Sequence, residues 1–99
     1  MDSDKITIIK GDTLSLTINI DGIALELIDK VYFTSSQQNI NQKLIFQDDK
    51  YILNIEPDVT SKFSETVCDY DITIVFKNGE TYTSIYRASL VVLPKVNHL

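Results

Sequence analysis

Apolar residues fall on every second position in several short stretches of this chain. The clearest stretch is 13–20, where leucine and isoleucine occupy the even positions and threonine, serine and asparagine occupy the odd ones. Successive side chains of a β-strand point to opposite faces, so this period predicts a strand with one buried face. The same pattern predicts strands over 5–9, 29–35, 41–46 and 51–56. The residues expected to face inward there are Val31, Phe33, Tyr51, Leu53 and Ile55.

A long β-hairpin is predicted in the last third of the sequence. Its first arm, 67–76, has apolar side chains at the even positions, and its second arm, 81–92, is rich in threonine, tyrosine, isoleucine and valine. Such side chains favour strands. Asn78-Gly79 lies between the arms, and both residues accept the positive φ angles of a tight primed turn. One face of the hairpin is expected to be buried and the other wet.

The number of strands and the turns between them predict an all-β fold. About seven strands follow one another at short spacing, with turn dipeptides such as Asp21-Gly22 between most of them. Pro57 ends one strand because proline has no amide hydrogen for a sheet ladder, and 57–63 is expected to form one helical turn. The segment 23–28 is either a short strand or a linking coil. This pattern is typical of a two-sheet antiparallel sandwich, with a small closed barrel as the alternative.

The charge of the chain argues against two classes of partner, nucleic acids and anionic membranes. Its 99 residues carry a net charge of −5, and its nine basic residues stand singly. Binding to nucleic acid or to an anionic membrane needs a basic stripe, so neither partner is expected. Met1-Asp2-Ser3-Asp4 is acidic and is followed by no long apolar run, so neither a secretory signal nor a membrane span is expected. We therefore expect one domain, 1–99, folded in a cytoplasm and ending in a frayed tail at 95–99.

The residue types that most often carry catalysis or bind metals are sparse. Asp69 and Asp71 project from one face of a strand, where an acid pair can serve glycoside hydrolysis but more simply forms a solvated face. Cys68 has no histidine base other than His98, so we expect it to be a small buried residue. No catalytic residue, metal site or cofactor is expected. Calcium held by the aspartates of a loop stays an open alternative.

The tyrosines are the candidates for an interaction surface. Tyrosine is enriched where one end of a ring is buried and the other is wet, as at protein interfaces and sugar-binding platforms. Tyr32, Tyr82 and Tyr86 all lie on predicted strands, and Tyr82 and Tyr86 share parity on one of them. Tyr70 follows the helical turn, so it is expected to be a tyrosine-corner residue whose hydroxyl bonds back to the preceding loop. Tyr70, like Asn78 and Gly79, is thus assigned a structural role.

Three short motifs occur in order along the chain. They are Gly11-Asp12-Thr13, then Asp58-Val59-Thr60, and then Tyr70-Asp71-Ile72. This order resembles the immunoglobulin-like N-terminal domain of phage baseplate upper proteins, found in phages and prophages of Gram-positive bacteria. The resemblance covers nearly the whole chain. It implies an immunoglobulin-like β-sandwich whose partners are other tail or baseplate proteins, or further copies of itself.

Two functions from different classes follow as expectations. The first is a non-enzymatic structural or docking module of a phage or prophage tail, assembled in the bacterial cytoplasm and carried in the virion. The alternative is a carbohydrate-binding β-sandwich that uses surface tyrosines. The alternative predicts two or more exposed aromatic rings in a row on one face.

Overall fold

The structure is a computed structural model that describes residues 4–20 and 22–95. Eight strands make up most of this part of the chain: β1 (Ile6–Ile9), β2 (Leu14–Ile18), β3 (Ile28–Ser35), β4 (Ile40–Lys43), β5 (Ile45–Gln47), β6 (Lys50–Ile55), β7 (Val67–Phe76) and β8 (Thr81–Leu93). A 3₁₀ helix, Leu25–Leu27, precedes β3, and one helical turn, α1 (Pro57–Thr60), follows β6. The predicted all-β class and the helical turn are confirmed.

The strands form two sheets that pack face to face as a β-sandwich. The larger sheet has the order β1-β8-β7-β3-β4, and the smaller has the order β2-β6-β5. The sandwich was predicted and the closed-barrel alternative is not formed. One departure is the parallel pairing of β1 with β8, in which Ile6 lies beside Leu90; every other strand pair is antiparallel.

The segment 41–46, predicted as a single strand, belongs to two strands in different sheets. β4 ends at Lys43 and β5 begins at Ile45. Between them, the Leu44 amide donates a hydrogen bond to the carbonyl oxygen of Val31 at 2.8 Å, and the Leu44 side chain is buried. The chain thus crosses between the sheets and closes this side of the sandwich. The crossing raises the number of strands above the predicted count.

The inward positions of the alternating stretches form the core. The predicted residues Val31, Phe33, Tyr51, Leu53 and Ile55 are all buried, and so is Cys68. The rings of Phe33 and Tyr70 stack with their centroids 5.1 Å apart, which joins β3 to β7. Burying one large apolar side chain stabilises a fold by roughly 1.5–3 kcal/mol. This shared core is what holds the two sheets together.

Two buried polar side chains tie loops to the sandwich. The hydroxyl of Thr60, at the end of α1, donates a hydrogen bond to the carbonyl oxygen of Asp12 at 2.7 Å. The side chain of Gln38 bonds twice to the backbone of Ser64, accepting from its N–H at 2.7 Å and donating to its carbonyl oxygen at 2.9 Å. The sequence gives no local sign that Gln38 is buried, because its partner Ser64 lies 26 residues away in the chain.

The segment 23–28 contains the 3₁₀ helix rather than a strand. The carbonyl oxygen of Leu27 accepts a hydrogen bond from the Lys77 amide at 3.0 Å, which fixes the helix against the β7–β8 turn. The Leu27 side chain points outward and is 56% exposed. Neither helix in the described ranges has the length and apolar character needed to cross a bilayer.

The β7–β8 turn is not the tight primed turn that the sequence predicted. Gly79 has φ +91°, but Asn78 is not among the residues with positive φ. The Gly79 amide donates to the carbonyl oxygen of Phe76 at 2.9 Å, which fits a type I turn followed by a left-handed glycine. The Asn78 side chain accepts the amide hydrogen of Glu80 and donates to its carboxylate, both at 2.9 Å. Asn78 and Gly79 therefore shape the turn by different means from those predicted.

Tyr70 is buried, but its hydroxyl reaches a different partner from the one predicted. It donates a hydrogen bond to the carbonyl oxygen of Asp4, whereas a tyrosine corner places the acceptor in the preceding loop. Tyr70 lies opposite Ala88, and β1 runs parallel to β8 with Ile6 beside Leu90. The residues just before β1 therefore pass close to the Tyr70 ring. The bond ties the start of the described chain to the core.

Candidate interaction surface

Two irregularities in the β7–β8 ladder determine where the side chains of β8 point. Successive registered pairs are Tyr70–Ala88, Ile72–Ile85 and Thr73–Thr83. β8 therefore has one extra residue on each side of Ile85. Because side chains alternate between faces, each extra residue reverses the face for the residues that follow. Arg87 lies in one of these bulges with φ +54°, a region that residues other than glycine seldom adopt.

Arg87 and two aspartates form a charged cluster on the outer face of the larger sheet. The Arg87 amide donates to Oδ1 of Asp71 at 2.7 Å, and its Nε donates to Oδ2 of Asp69 at 3.2 Å. The hydrogen bond to Asp69, and after it the negative charge of Asp69, raise the pKa of Arg87 above its ordinary value. The two carboxylates that were weighed as an acid pair are thus both engaged by one residue. Both bonds join the bulge of β8 to β7.

Tyr86 stands next to this cluster with its ring largely in solvent. Tyr86 immediately precedes Arg87 in the same bulge, and 71% of the residue is exposed. With Thr34, Asp69, Asp71 and Arg87 it lines an open depression of about 310 Å³. The site therefore combines an aromatic ring, a guanidinium and carboxylates on a fixed backbone. Aromatic residues and arginine are enriched where proteins contact one another.

Tyr82 lies on the opposite side of the sheet from Tyr86. Tyr82 is directly across from Ile74, a fully buried core residue, and directly opposed residues of an antiparallel pair share a face. It projects on the core side but beyond the end of the core, where it is 53% exposed. The expectation that Tyr82 and Tyr86 lie on one face is wrong. The extra residue at Ser84 reverses the alternation between them.

Tyr32 shares the outer face with Tyr86 but has other neighbours. It is half-buried on β3, between Lys43 of β4 and Thr73 of β7. β7 separates β3 from β8, so about 10 Å, or two strand spacings, lies between the strands that carry these two tyrosines. The structure places Tyr32 and Tyr86 on one face without joining them into a continuous row of rings.

An apolar patch occupies the other end of the same face. Val67 is 67% exposed and lies across from Val91, while the exposed Leu93 lies beside Ile9. We call these four residues the Val67 patch. The sequence analysis did not single them out, although Val67 has the same parity as Asp69 in the strand pattern. That parity was a usable signal that an apolar side chain would face solvent.

The described residues contain little that suggests metal binding. Within 4–20 and 22–95, no three or more histidine, cysteine, aspartate or glutamate side chains are grouped so that they could hold a metal ion. The Cys68 thiol lies in the core, 3.5 Å from Nε2 of Gln38. His98 and most of the predicted frayed tail lie outside the described residues.

Comparison with known proteins adds no relative. No family model matches the chain, and no curated protein is similar at a significant level. The outer face of the larger sheet is therefore the candidate interaction surface, with Tyr86 and the Arg87 cluster on it and the Val67 patch at one end.

Proposed function

We propose that this domain is a non-enzymatic docking module of a phage or prophage tail or baseplate. It acts through protein–protein contacts made by the outer face of the larger sheet. The observation that carries the contact surface is Tyr86, an exposed ring on a bulge where Asp71 bonds the Arg87 amide and Asp69 bonds the Arg87 side chain. The virion setting rests on the resemblance of the three sequence motifs to baseplate upper proteins.

An exposed aromatic side chain is the kind of residue that dominates binding energy at interfaces. Hot spots are rich in tyrosine and arginine, and they are surrounded by weaker contacts that exclude water. Tyr86 and Arg87 supply side chains of the hot-spot type. The Val67 patch supplies apolar surface on the same face, next to polar side chains such as Ser89. The hydrogen bond from the Arg87 amide to Asp71 orders the backbone next to Tyr86 before binding, which reduces the conformational entropy lost there.

The face approaches the size of a standard contact. Its five strands together contain 39 residues, which at about 3.3 Å per residue and about 4.8 Å between strands make a surface of roughly 600 Å². A standard interface covers roughly 800 Å² on each partner, so this face supplies most of one. The partner is another tail or baseplate protein or a second copy of the chain. Burial of this face would also supplement the modest core of a small domain.

The test is a pull-down with tagged protein from a lysate of the source bacterium after prophage induction, read by mass spectrometry. We expect tail or baseplate proteins to be enriched with the wild type and with Tyr82→Ala, and to be lost with Tyr86→Ala. Tyr82 is the matched control because it is also an exposed tyrosine of β8, on the other side of the sheet. A wild-type protein that is monomeric and captures no virion protein would overturn the proposal.

The carbohydrate-binding alternative uses the same variants with a different readout. If the domain binds carbohydrate, cell-wall polysaccharide should retain the wild type and should not retain Tyr86→Ala. Sugar platforms usually combine several rings, and here Tyr86 is accompanied on its face by the half-buried Tyr32. The docking function is therefore the better supported of the two.

A further inference from the structure

A groove with an apolar floor and an acidic rim lies at the end of the sandwich where the β7–β8 turn meets the 3₁₀ helix. Its volume is about 580 Å³. The apolar lining comes from Leu25, Ile28, Phe46 and Tyr51. We call it the hairpin-end groove. Its lining shares no residue with the depression beside Tyr86, so it is a second surface of the domain.

Phe46 is a preorganised apolar contact point in this groove. It lies on β5 opposite Tyr51 of β6, and the two ring centroids are 4.8 Å apart with the planes tilted by 40°. Tyr51 is buried, whereas 51% of Phe46 is exposed. A ring that is supported from below and open above can accept an apolar side chain with little further ordering.

The rim of the groove carries an excess of negative charge. Glu26, Asp29 and Asp49 line it, against one cation, Lys77. Asp29 has its neighbour Lys30 at 4.0 Å, but within the described chain neither Glu26 nor Asp49 belongs to an ion pair. Burial, and after it the charge of Asp29, raises the pKa of Tyr51. The groove therefore combines apolar surface with carboxylates that have no cation of their own.

Asp49 is held in this place at a cost to stability. Asp48 and Asp49 form the two-residue turn between β5 and β6, with φ +52° and φ +61°. This turn favours asparagine and glycine, because both central residues need positive φ. A chain selected for turn stability alone would have glycine at position 49, which would remove one carboxylate from the rim.

We propose that the hairpin-end groove docks a segment of a partner protein in which an apolar side chain is flanked by lysine or arginine residues. The apolar side chain packs on Phe46, and the flanking cations lie beside Glu26 and Asp49. Charge complementarity selects this partner, because opposite charges across an interface favour encounter and suppress wrong partners. A second copy is the poorer fit, since the chain carries a net charge of −5. The proposal holds whether or not the partner is a virion protein.

A pair of synthetic peptides tests the proposal on the ¹⁵N-labelled full chain. Both carry the same lysines, and one has leucine and phenylalanine between them where the other has serine. We call the peptide with leucine and phenylalanine the anchored peptide and the other the serine peptide. We expect the anchored peptide to shift amide signals at residues 25–29, 46–51 and 77. It should bind at least about tenfold more tightly than the serine peptide. Raising the salt concentration should weaken its binding. Shifts that map to another surface, or equal affinity for both peptides, would contradict the proposal.

Asp49→Gly separates recognition from stability. It should raise the melting temperature, because glycine relieves the positive φ, and at the same time weaken the anchored peptide severalfold. Phe46→Ala should also weaken binding, while Glu56→Gln, which removes one charge at the far end of β6, should leave it unchanged. Tyr86→Ala should likewise bind the peptide normally. If Asp49→Gly binds like the wild type, or if the same amides shift on self-association without peptide, the assignment is wrong.

Discussion

The two halves of β8 follow similar sequence patterns but have different environments. In residues 88–93, Leu90 and Val92 are buried, and this half pairs with β7 on one side and with β1 on the other. In residues 81–87, Tyr82 and Tyr86 are largely exposed, and the strand registers with β7 alone. Whether a position is buried thus depends on which strands lie beside it. We call residues 88–93 the covered half and residues 81–87 the uncovered half. Substitutions in the covered half should mainly change the stability of the fold, and substitutions in the uncovered half should mainly change binding to partners.

The largest expected effect lies in the covered half. Leu90→Ala should lower the free energy of unfolding by roughly 3–5 kcal/mol, because it opens a cavity among fully buried side chains. Urea denaturation measures this loss. Tyr86→Ala in the uncovered half should change stability by no more than about 0.5 kcal/mol. Comparable losses for the two variants would refute the division of the strand.

A polar contact beside the covered half gives the next effect. Gln38→Ala removes both hydrogen bonds to Ser64, close to where β7 and the end of β8 begin to pair. It should cost about 1–2 kcal/mol, since buried polar groups lose their partners. Gln37→Ala, at the exposed neighbouring position, is the control and should be close to neutral. Equal behaviour of the two glutamines would mean that the Ser64 contact contributes little.

The turn at the start of the uncovered half gives a smaller effect. Gly79→Ala should cost about 1 kcal/mol, because alanine is strained at φ +91° although there is open space for its methyl group. Gly79→Asn should lose less, since asparagine tolerates the left-handed region. Thermal unfolding of the two variants separates backbone strain from side-chain crowding. An asparagine variant less stable than the alanine variant would argue against strain as the cause.

The smallest effect has the opposite sign. Arg87→Gly should raise the melting temperature of the domain slightly, because relief of the positive φ outweighs the loss of an exposed ion pair. The same change should reduce capture of the Tyr86 partner, since the bulge loses its guanidinium contact with Asp69. Calorimetry and the pull-down read the two effects separately. A clear loss of stability would show that the Arg87 cluster contributes to folding after all.

The two hairpin turns show how far local sequence predicts backbone geometry. Asn78-Gly79 is the favoured primed-turn pair, yet only Gly79 has positive φ and Asn78 acts through its side chain. Asp48-Asp49 lacks glycine and nevertheless has positive φ at both residues. The alternation correctly placed a turn at each position. The type of turn depends on the register and twist of the flanking strands, which dipeptide preferences do not determine.

The candidate interaction surface was only partly accessible to sequence reasoning. Tyr86 was a candidate for an interaction surface whose side, core or contact, the sequence left open, and the structure places it exposed on the outer face. Tyr82 was grouped with it by parity, which failed because a bulge at Ser84 reverses the alternation. Arg87 was not predicted at all. Its role depends on carboxylates from the neighbouring strand and on a left-handed backbone, and neither has a local signal.

Local alternation along the chain was enough to locate the strand-forming stretches and the side chains that face the core. Val31, Phe33, Leu53 and Ile55 are buried where the alternation placed them, because a period of two is a local property of the chain. Which exposed residues share a surface depends instead on how the strands are arranged in three dimensions. Pairing with distant strands, bulges within the ladder and the crossing at Leu44 set those positions. These features depend on contacts between segments far apart in sequence, so a residue's immediate neighbours do not encode them.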